Sequence, residues 1–308
     1  MKISVIIPVY NSEGIQRELY KRLTRELESY RDNFEIIFVN DGSKDNSSQV
    51  LRELCQIDKK VKFIDFSRNF GHQAAVSAGL DRAKGDVIVI MDDDLQDPPE
   101  VLPDFICKLN QGYEVVYGIR KKRKENIFKR TAFYFFYRLF RFLSHSEIPY
   151  DSGDFCVLSR KAVDEIKQFR ESNRYLRGIR SWIGFRQIGI SYERNFRQSG
   201  KSQYTLRKYF RFALDAIFSF SYLPLRISTL VGFMVAGLSF IYGCLIIIKK
   251  ISGRIESVPG FAALFVAITF IGGVILICLG IIGEYIARLY DEAKKRPQYI
   301  IKEEKGFD

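Results

Sequence analysis

Apolar residues in the first 120 positions follow two periodicities in turn. Short β-branched runs are typical of buried strands, and longer segments with apolar residues three or four positions apart are typical of helices. The predicted strands are Ile3–Val9, Phe34–Asn40, Val61–Phe66, Val87–Met91 and Glu114–Gly118. The predicted helices are Ile15–Tyr30, Ser47–Cys55, His72–Ala83 and Pro99–Asn110. This alternation predicts an α/β fold whose parallel sheet is covered on both faces.

The C-terminal third has a different pattern. The stretches Ile227–Ile248 and Phe261–Gly283 contain no charged residue, and each exceeds the ~20 residues that a membrane-spanning helix needs. We therefore expect two transmembrane helices, with a pair of buried core helices as the less favoured alternative. The predicted domains are a cytoplasmic domain at 1–226, a two-helix transmembrane region at 227–288 and a cytoplasmic tail at 289–308.

Two further segments, residues 127–143 and 204–223, combine aromatic with basic side chains. Such stretches are typical of amphipathic helices at a membrane interface, where aromatic rings lie at headgroup depth and cations meet anionic lipid. An ordinary amphipathic core helix is the alternative for each. Lys and Arg flanking the two spans place the N-terminal domain and the tail on the cytoplasmic side of the cell membrane. The apolar run Ile3–Val9 is too short for a secretory signal.

The composition indicates which kinds of molecule the protein binds. The chain has 48 Lys and Arg against 36 Asp and Glu, a net charge of +12. Because the basic residues cluster beside the membrane-like segments, we expect membrane lipids rather than nucleic acid as the partner. The five cysteines show no CxxC spacing, which argues against a zinc site or a disulfide framework. Small residues in the first span, such as Gly232 and Ala236, leave a homo-oligomer possible.

The strongest chemical feature is the acidic motif MDDDLQDPPE at residues 91–100, directly after a predicted buried strand. Asp92 and Asp94 lie two positions apart, so an extended turn can point both to one side, with Gln96 continuing the row. Hard oxygen ligands of this kind suit Mg²⁺ or Mn²⁺, which commonly leaves coordination positions for substrate phosphates. A solvated acidic turn that caps the following helix is the alternative.

Asp41 follows the second predicted strand in the motif VNDGSKDNS. The ligand crevice of a parallel α/β sheet lies beyond the carboxyl ends of its strands. A carboxylate there could accept hydrogen bonds from a base or a ribose, but, taken alone, a turn or helix-cap role is the favoured interpretation of such a residue.

Taken together, the motifs resemble those of the inverting glycosyltransferases of family 2, which have the nucleotide-diphospho-sugar transferase fold (GT-A, Rossmann-like). The matching segments are residues 8–13, 39–47, 67–86, 91–100, 117–123, 151–164 and 194–204. With two spans at the C-terminal end, the chain is most similar to the polyprenyl-phosphate glycosyltransferases of the bactoprenol glucosyl transferase type, to which dolichyl-phosphate mannose synthase is related.

The resemblance implies roles on the donor side. It implies a nucleotide pocket lined by Pro8, Tyr10 and Glu13, with Asp41 on the uracil or ribose. It also implies a Mg²⁺ or Mn²⁺ site that grips the donor diphosphate, formed by Asp92, Asp94 and Gln96. The family usually has Ala where this chain has Asp93; this extra donor-side carboxylate either faces away or alters the metal preference.

On the acceptor side, the resemblance implies that Arg130 and Arg197 hold the phosphate of a lipid, although lipid-headgroup contact is an alternative for Arg130. Arg120 matches a catalytic arginine that follows the fifth strand. Asp154 matches an aspartate with a catalytic role, as a base or an orienting group. We favour orientation, because a lipid phosphate with a second pKa of about 6 is already largely ionised near neutral pH.

The implied function is inverting transfer of a hexose, with UDP-glucose as the first candidate donor, to undecaprenyl or another polyprenyl phosphate. The alternatives are transfer of mannose or an N-acetylhexosamine to the same lipid, a processive polysaccharide synthase, and a non-catalytic membrane scaffold. A processive synthase would need a QxxRW motif, which Arg180-Ser181-Trp182 matches only loosely.

Overall fold

The computed structural model describes residues 1–30, 33–121, 152–169, 171, 174–193, 223–252 and 260–307. These residues fall into two compact units. One contains the described residues up to Glu193 and those from Arg296 onward, and the other contains those between Leu223 and Lys295. The predicted interfacial segments 127–143 and 204–223 lie outside the described residues, apart from Leu223.

The first unit is built on an eight-stranded mixed sheet. Its strands are β1 (Ile3–Val9), β2 (Phe34–Asn40), β3 (Val61–Phe66), β4 (Val87–Ile90), β5 (Val115–Lys121), β6 (Ser152–Ser159), β7 (Gln187–Glu193) and β8 (Ile301–Lys305). Their order across the sheet is β7-β5-β6-β4-β1-β2-β3-β8.

The strand directions confirm that the five predicted strands run parallel to one another, and they reveal antiparallel strands that were not predicted. Strand β1 pairs in parallel with β2 and β4, and β2 pairs in parallel with β3. Both β4 and β5 are antiparallel to β6, so they run parallel to each other. Strand β8 is antiparallel to β3. The sheet is therefore not parallel throughout: β6 and β8, neither of which was predicted, run against the others.

Helices cover both faces of this sheet. They are α1 (Gln16–Leu27), α2 (Ser47–Ile57), α3 (His72–Arg82), α4 (Leu102–Asn110), α5 (Arg160–Gln168) and α6 (Leu176–Trp182). Side chains alternate across the strands: Val5 belongs to the core cluster on one face and Ile6 to the cluster on the other, and both are fully buried. Two-sided burial explains why the central strands are predominantly apolar.

The second unit consists of two long helices, α7 (Leu223–Ile251) and α8 (Phe261–Ala293). Within them, Leu225–Leu245 and Phe270–Ala293 are long and apolar enough to cross a membrane. Their apolar side chains are largely exposed, with Phe233 and Phe240 each 74% exposed. Helix α8 continues ten residues beyond the predicted span, and in this extension Arg288 pairs with Glu284 one turn earlier at 3.0 Å. Residues 301–305 of the expected tail form β8.

Candidate active site

The acidic turn, which we define as Asp92–Asp97, follows β4 at the carboxyl edge of the sheet. Asp92 Oδ1 lies 2.9 Å from Nε2 of His72, at the start of α3. Asp94 Oδ1 accepts a hydrogen bond from the backbone N–H of Gln96 at 3.1 Å. Leu95 has a left-handed φ of 56° and only 2% exposure. The strained backbone at Leu95 keeps the turn tight while its side chain enters the core.

The three consecutive carboxylates do not point the same way. Asp93 accepts a hydrogen bond from the hydroxyl of Ser12, in the loop after β1. Burial and the charges of Asp92 and Asp94 raise the pKa of Asp93 to about 7, although the Ser12 hydrogen bond opposes the shift. Asp93 is therefore tied to the β1–α1 loop, whereas Asp92 is turned toward α3.

His72 is held as a cation beside this turn. Burial disfavours its charged form, but the hydrogen bond to Asp92 and the charges of Asp92 and Asp154 outweigh burial and raise its pKa to about 9. The protonated form of His72 is therefore favoured at neutral pH, and the charge of Asp154 on β6 contributes to this.

Asp154 lies on β6, which brings it level with the acidic turn. Because Ile90 pairs with Cys156 in antiparallel register, Asp154 sits two residues past the last paired position, as Asp92 does on β4. Arg177 of α6 donates two hydrogen bonds to it, from Nε to Oδ1 at 2.6 Å and from Nη2 to Oδ2 at 2.7 Å. Burial alone would raise the pKa of Asp154, but Arg177, with His72 and Arg180, lowers it to about 2.

A second arginine, Arg180, lies one turn further along α6 and is 4% exposed. Its guanidinium lies 5.1 Å from the centre of the Tyr117 ring, and its Nη1 is 3.5 Å from the carbonyl oxygen of Gly153. A small cavity in the first unit is lined by apolar side chains and by the polar groups His72, Gln73, Asp154, Arg177 and Arg180. The cavity therefore combines two arginines with one strongly ionised carboxylate.

Asp41 organises the loop between β3 and α3. It is 3% exposed, and its two carboxylate oxygens accept the backbone N–H groups of Phe70 at 2.6 Å and Gly71 at 2.9 Å. Burial raises its pKa, although these hydrogen bonds oppose the shift. The next residue, Gly42, has a φ of +62°, and a Cβ there would lie 2.4 Å from the carbonyl carbon of Arg68. This close approach requires glycine.

The other predicted donor-side residues lie at the same edge of the sheet. Pro8 is buried in β1, and Tyr10 directly after the strand is 45% exposed. Glu13 Oε2 accepts the backbone N–H of Asn46 at 2.8 Å. Arg120 lies near the end of β5, where its backbone is in register with Tyr192 of β7. Arg130 and Arg197 lie outside the described residues.

The donor set at the acidic turn suits a hard divalent cation. The described residues contain no group of three or more His, Cys, Asp or Glu side chains that is placed to hold a metal ion. Mg²⁺ needs only one or two protein carboxylates when substrate phosphates and water complete its coordination. The side-chain oxygens of Asp92, Asp94 and Gln96 are of the chemical type that such a cation binds.

Comparison with known proteins decides the family. The sequence family described as glycosyl transferase family 2 matches residues 4–167. The chain is 42% identical to the bactoprenol glucosyl transferase of Shigella phage SfV, over 99% of both proteins. The chain belongs to glycosyl transferase family 2. A second family, the GtrB C-terminal hairpin, matches residues 223–289 of this glycosyl transferase, the stretch that contains α7 and most of α8.

Two further comparisons, one with a relative and one with a solved structure, agree with this family. The glycosyl transferase is 43% identical to the uncharacterized glycosyltransferase YkcC of Bacillus subtilis, over 100% of this chain and 95% of the relative. Its fold is similar to that of the mannosyltransferase PcManGT from Pyrobaculum calidifontis, with a TM-score of 0.52 at 16% identity, covering 96% of this chain and 86% of that one. The GT-A fold expected from the motifs is therefore confirmed.

The structure adds two residues to the candidate site of this glycosyl transferase to which sequence reasoning gave no role. His72 was predicted only as the first residue of a helix, and it contacts Asp92 directly. Arg177 received no role, yet it holds Asp154. No local pattern could have found Arg177, because its partner is 23 residues away on a strand that the sequence did not predict.

Proposed function

We propose that this glycosyl transferase moves a hexose, with UDP-glucose as the first candidate donor, to polyprenyl phosphate at the cytoplasmic face of the cell membrane. The observation that carries the proposal is the 42% identity over nearly the full length to proteins named bactoprenol glucosyl transferase. The match to the GtrB C-terminal hairpin and the two exposed apolar helices support a membrane-embedded acceptor.

Displacement with inversion needs no covalent enzyme intermediate. An oxygen of the lipid phosphate attacks the anomeric carbon, the bond from that carbon to the donor diphosphate breaks, and the nucleoside diphosphate leaves with the bonding electrons. The nucleophile is already largely ionised near neutral pH, since such phosphates have a second pKa of about 6. The main obstacle is therefore the approach of one anion to another, and a strong general base is unnecessary.

On the donor side, Asp92, Asp94 and Gln96 would hold Mg²⁺ or Mn²⁺. When bound, the cation supplies charge neutralisation at the departing diphosphate. Pro8, Tyr10 and Glu13 would line the nucleotide pocket. Asp41 would act there through the loop that its carboxylate holds, with its remaining lone pairs available to the nucleoside.

On the acceptor side, Arg130 and Arg197 would bind the lipid phosphate, since guanidinium groups pair bidentately with phosphate oxygens. We assign Arg120 the catalytic role that its position after the fifth strand implies. We assign Asp154 an orienting role. A carboxylate with a pKa of about 2 is a poor proton acceptor at neutral pH, and both of its oxygens already accept hydrogen bonds from Arg177.

The fold also bears on membrane topology. Strand β8 follows α8 in the chain, yet it pairs with β3, which precedes α7. If both helices cross the bilayer, they do so as a hairpin whose two ends open on the side of the sheet. Basic residues near those ends, including Arg226, Lys294 and Arg296, support a cytoplasmic location for that side under the positive-inside rule.

The proposal is tested by incubating the purified full-length chain with a panel of UDP- and GDP-sugars and undecaprenyl phosphate, with and without Mn²⁺. We expect a lipid product whose mass equals that of undecaprenyl phosphate plus one hexose, formed only with metal and most rapidly from UDP-glucose. A product mass increased by an N-acetylhexosamine would change the donor. A polymeric product, or no lipid product from any donor, would overturn the proposed reaction.

A further inference from the structure

The tyrosine of β7, Tyr192, reaches the acidic turn from a strand three places away in the sheet. Its hydroxyl donates a hydrogen bond to Oδ1 of Asp97, the last residue of the turn. Asp97 is fully buried and Tyr192 is 4% exposed, although every other residue of β7 is at least partly exposed. Strand β7 therefore sends one side chain inward, and that side chain ends on the acidic turn.

The path of the Tyr192 ring is fixed by its neighbours. Between β7 and β6 lies β5, where a Cβ at Gly118 would be 2.5 Å from Cε1 of Tyr192. On β6, Phe155 meets the Tyr192 ring edge-to-face with centroids 5.6 Å apart. Glycine at 118 thus leaves the gap through which the ring passes, and Phe155 limits its movement on the far side.

We propose that Tyr192 is a positioning residue for the divalent cation of the proposed reaction, acting through Asp97 on the acidic turn. A small cation such as Mg²⁺ demands near-ideal ligand geometry, and groups that orient its ligands are usually required for tight binding. The acidic turn supplies only three proposed ligands, so the position of each one matters. Asp92 and Asp94 lie only five and three positions before Asp97 in the sequence. Fixing Asp97 fixes the end of the loop on which those ligands lie.

The inference rests on the proposed function, because it assigns Tyr192 to the cation that the donor diphosphate needs.

The test is the Tyr192→Phe variant of the full-length chain in detergent, because phenylalanine keeps the ring packing and removes only the hydroxyl. Mn²⁺ affinity is measured in the presence of UDP from the electron paramagnetic resonance signal of free Mn²⁺, without turnover. We expect roughly tenfold weaker Mn²⁺ binding, the lower end of the loss seen when groups that orient metal ligands are removed. The matched control is Tyr20→Phe, which removes another tyrosine–aspartate hydrogen bond, to Asp58 at 2.8 Å, far from the turn in sequence.

Replacing the acceptor separates positioning from general destabilisation. Asp97→Asn keeps an oxygen that can accept the Tyr192 hydroxyl and should retain more Mn²⁺ affinity than Asp97→Ala. In the Tyr192→Phe background, this difference between Asn and Ala should shrink, because the shared hydrogen bond is already lost.

The outcomes distinguish this inference from the proposed function. Wild-type chain that binds Mn²⁺, together with a Tyr192→Phe variant of equal affinity, would overturn the positioning role alone. An equal loss in Tyr20→Phe would also overturn it, by showing that the effect is general. Wild-type chain that binds no Mn²⁺ in the presence of UDP would overturn the metal assignment of the proposed function and the role of Tyr192 with it.

Discussion

Arg177 donates two parallel hydrogen bonds to Asp154, from Nε to Oδ1 at 2.6 Å and from Nη2 to Oδ2 at 2.7 Å. The contact joins α6 to β6 beside His72, and it holds the pKa of Asp154 at about 2 even though burial opposes ionisation. A carboxylate held in this way acts by its charge and position. Both residues therefore work as one unit, and removing either should have the effect of removing both.

The first prediction tests that unit. Arg177→Lys keeps the positive charge but cannot reproduce the two parallel hydrogen bonds, so we expect it to lower kcat by roughly tenfold, or about 1.4 kcal/mol of barrier. Asp154→Asn should give a loss of the same order, and the double variant should lose little more than either single one. Transfer kinetics at saturating donor measure this. Fully additive losses would show that Asp154 and Arg177 act separately.

The second prediction compares neighbours within the acidic turn. Asp94→Asn should abolish metal-dependent transfer while leaving the far-UV circular dichroism spectrum unchanged, because an amide is a weaker ligand for a hard cation. Asp93→Ala should keep most of the activity, since Asp93 is turned toward Ser12 and the family usually has Ala there. If Asp93→Ala abolished transfer and Asp94→Asn did not, the assignment of ligands in the turn would be reversed.

The third prediction concerns acid stability. Glu35 is buried and accepts hydrogen bonds from Ser4 at 2.5 Å and from Lys62 at 2.7 Å. Burial opposes ionisation, but these partners lower the pKa of Glu35 from 4.5 to about 2. Its contribution to stability is therefore complete above about pH 4.5 and is lost as the pH falls through about 2.

We expect Glu35→Gln to lower the free energy of unfolding by about 3 kcal/mol at neutral pH, because it leaves Lys62 buried without its partner. The difference from wild type should shrink as the pH is lowered from about 5 to about 2. Urea unfolding in detergent, followed by circular dichroism, measures both effects. Glu53→Gln is the matched control: it breaks an exposed pair with Arg17 and should cost about 1 kcal/mol or less. A pH-independent difference for Glu35→Gln would contradict the linkage.

Sequence periodicity predicted the centre of the fold well and its margins poorly. The bounds of β1, β2 and β3 agree with the predicted strands, because burial on both faces makes these segments predominantly apolar. Strand β7 is largely half-exposed and contains Gly189, and β8 reads IKEEK. Strand β7 does alternate Ile188, Ile190 and Tyr192 with other residues, a strand signal that the sequence prediction missed. Strand β8 has neither the alternation nor the apolar run that identifies a strand. It is specified by its pairing with β3, which is a property of the folded chain.

The candidate site likewise contains residues that the sequence identified and residues that it did not. The acidic turn and Asp41 could be found because each follows an apolar strand, and polar residues at that edge of a parallel sheet indicate a site. The partners of these residues could not be found. His72 meets Asp92 across 20 residues, and Tyr192 meets Asp97 across 95. Such contacts depend on strand order, and the position of β6 between β4 and β5 leaves no trace in local pattern.

The fourth prediction concerns the returning C-terminal strand. Tyr299 stacks on Phe66 with ring centroids 5.1 Å apart and donates its hydroxyl to Asp81 at 2.7 Å. Tyr299→Ala should destabilise the first unit by about 2 kcal/mol, and Tyr299→Phe by about 1 kcal/mol or less. Because β8 protects the edge of β3, the alanine variant should also speed deuterium exchange at residues 61–66, as measured by mass spectrometry. Unchanged exchange there would show that the strand stays paired without Tyr299.

The last prediction tests the topology. Cys107 is exposed in the first unit, which contains the sheet. Ser252 directly follows α7 and lies between the two apolar stretches. A membrane-impermeant maleimide should label Cys107 in inverted membrane vesicles but not in intact cells. A Ser252→Cys variant in a Cys107→Ser background should show the opposite pattern. This result is required if the helices cross as a hairpin, because β8 returns to the same sheet after α8. Labelling of both positions from one side would mean that α7 and α8 do not span the membrane.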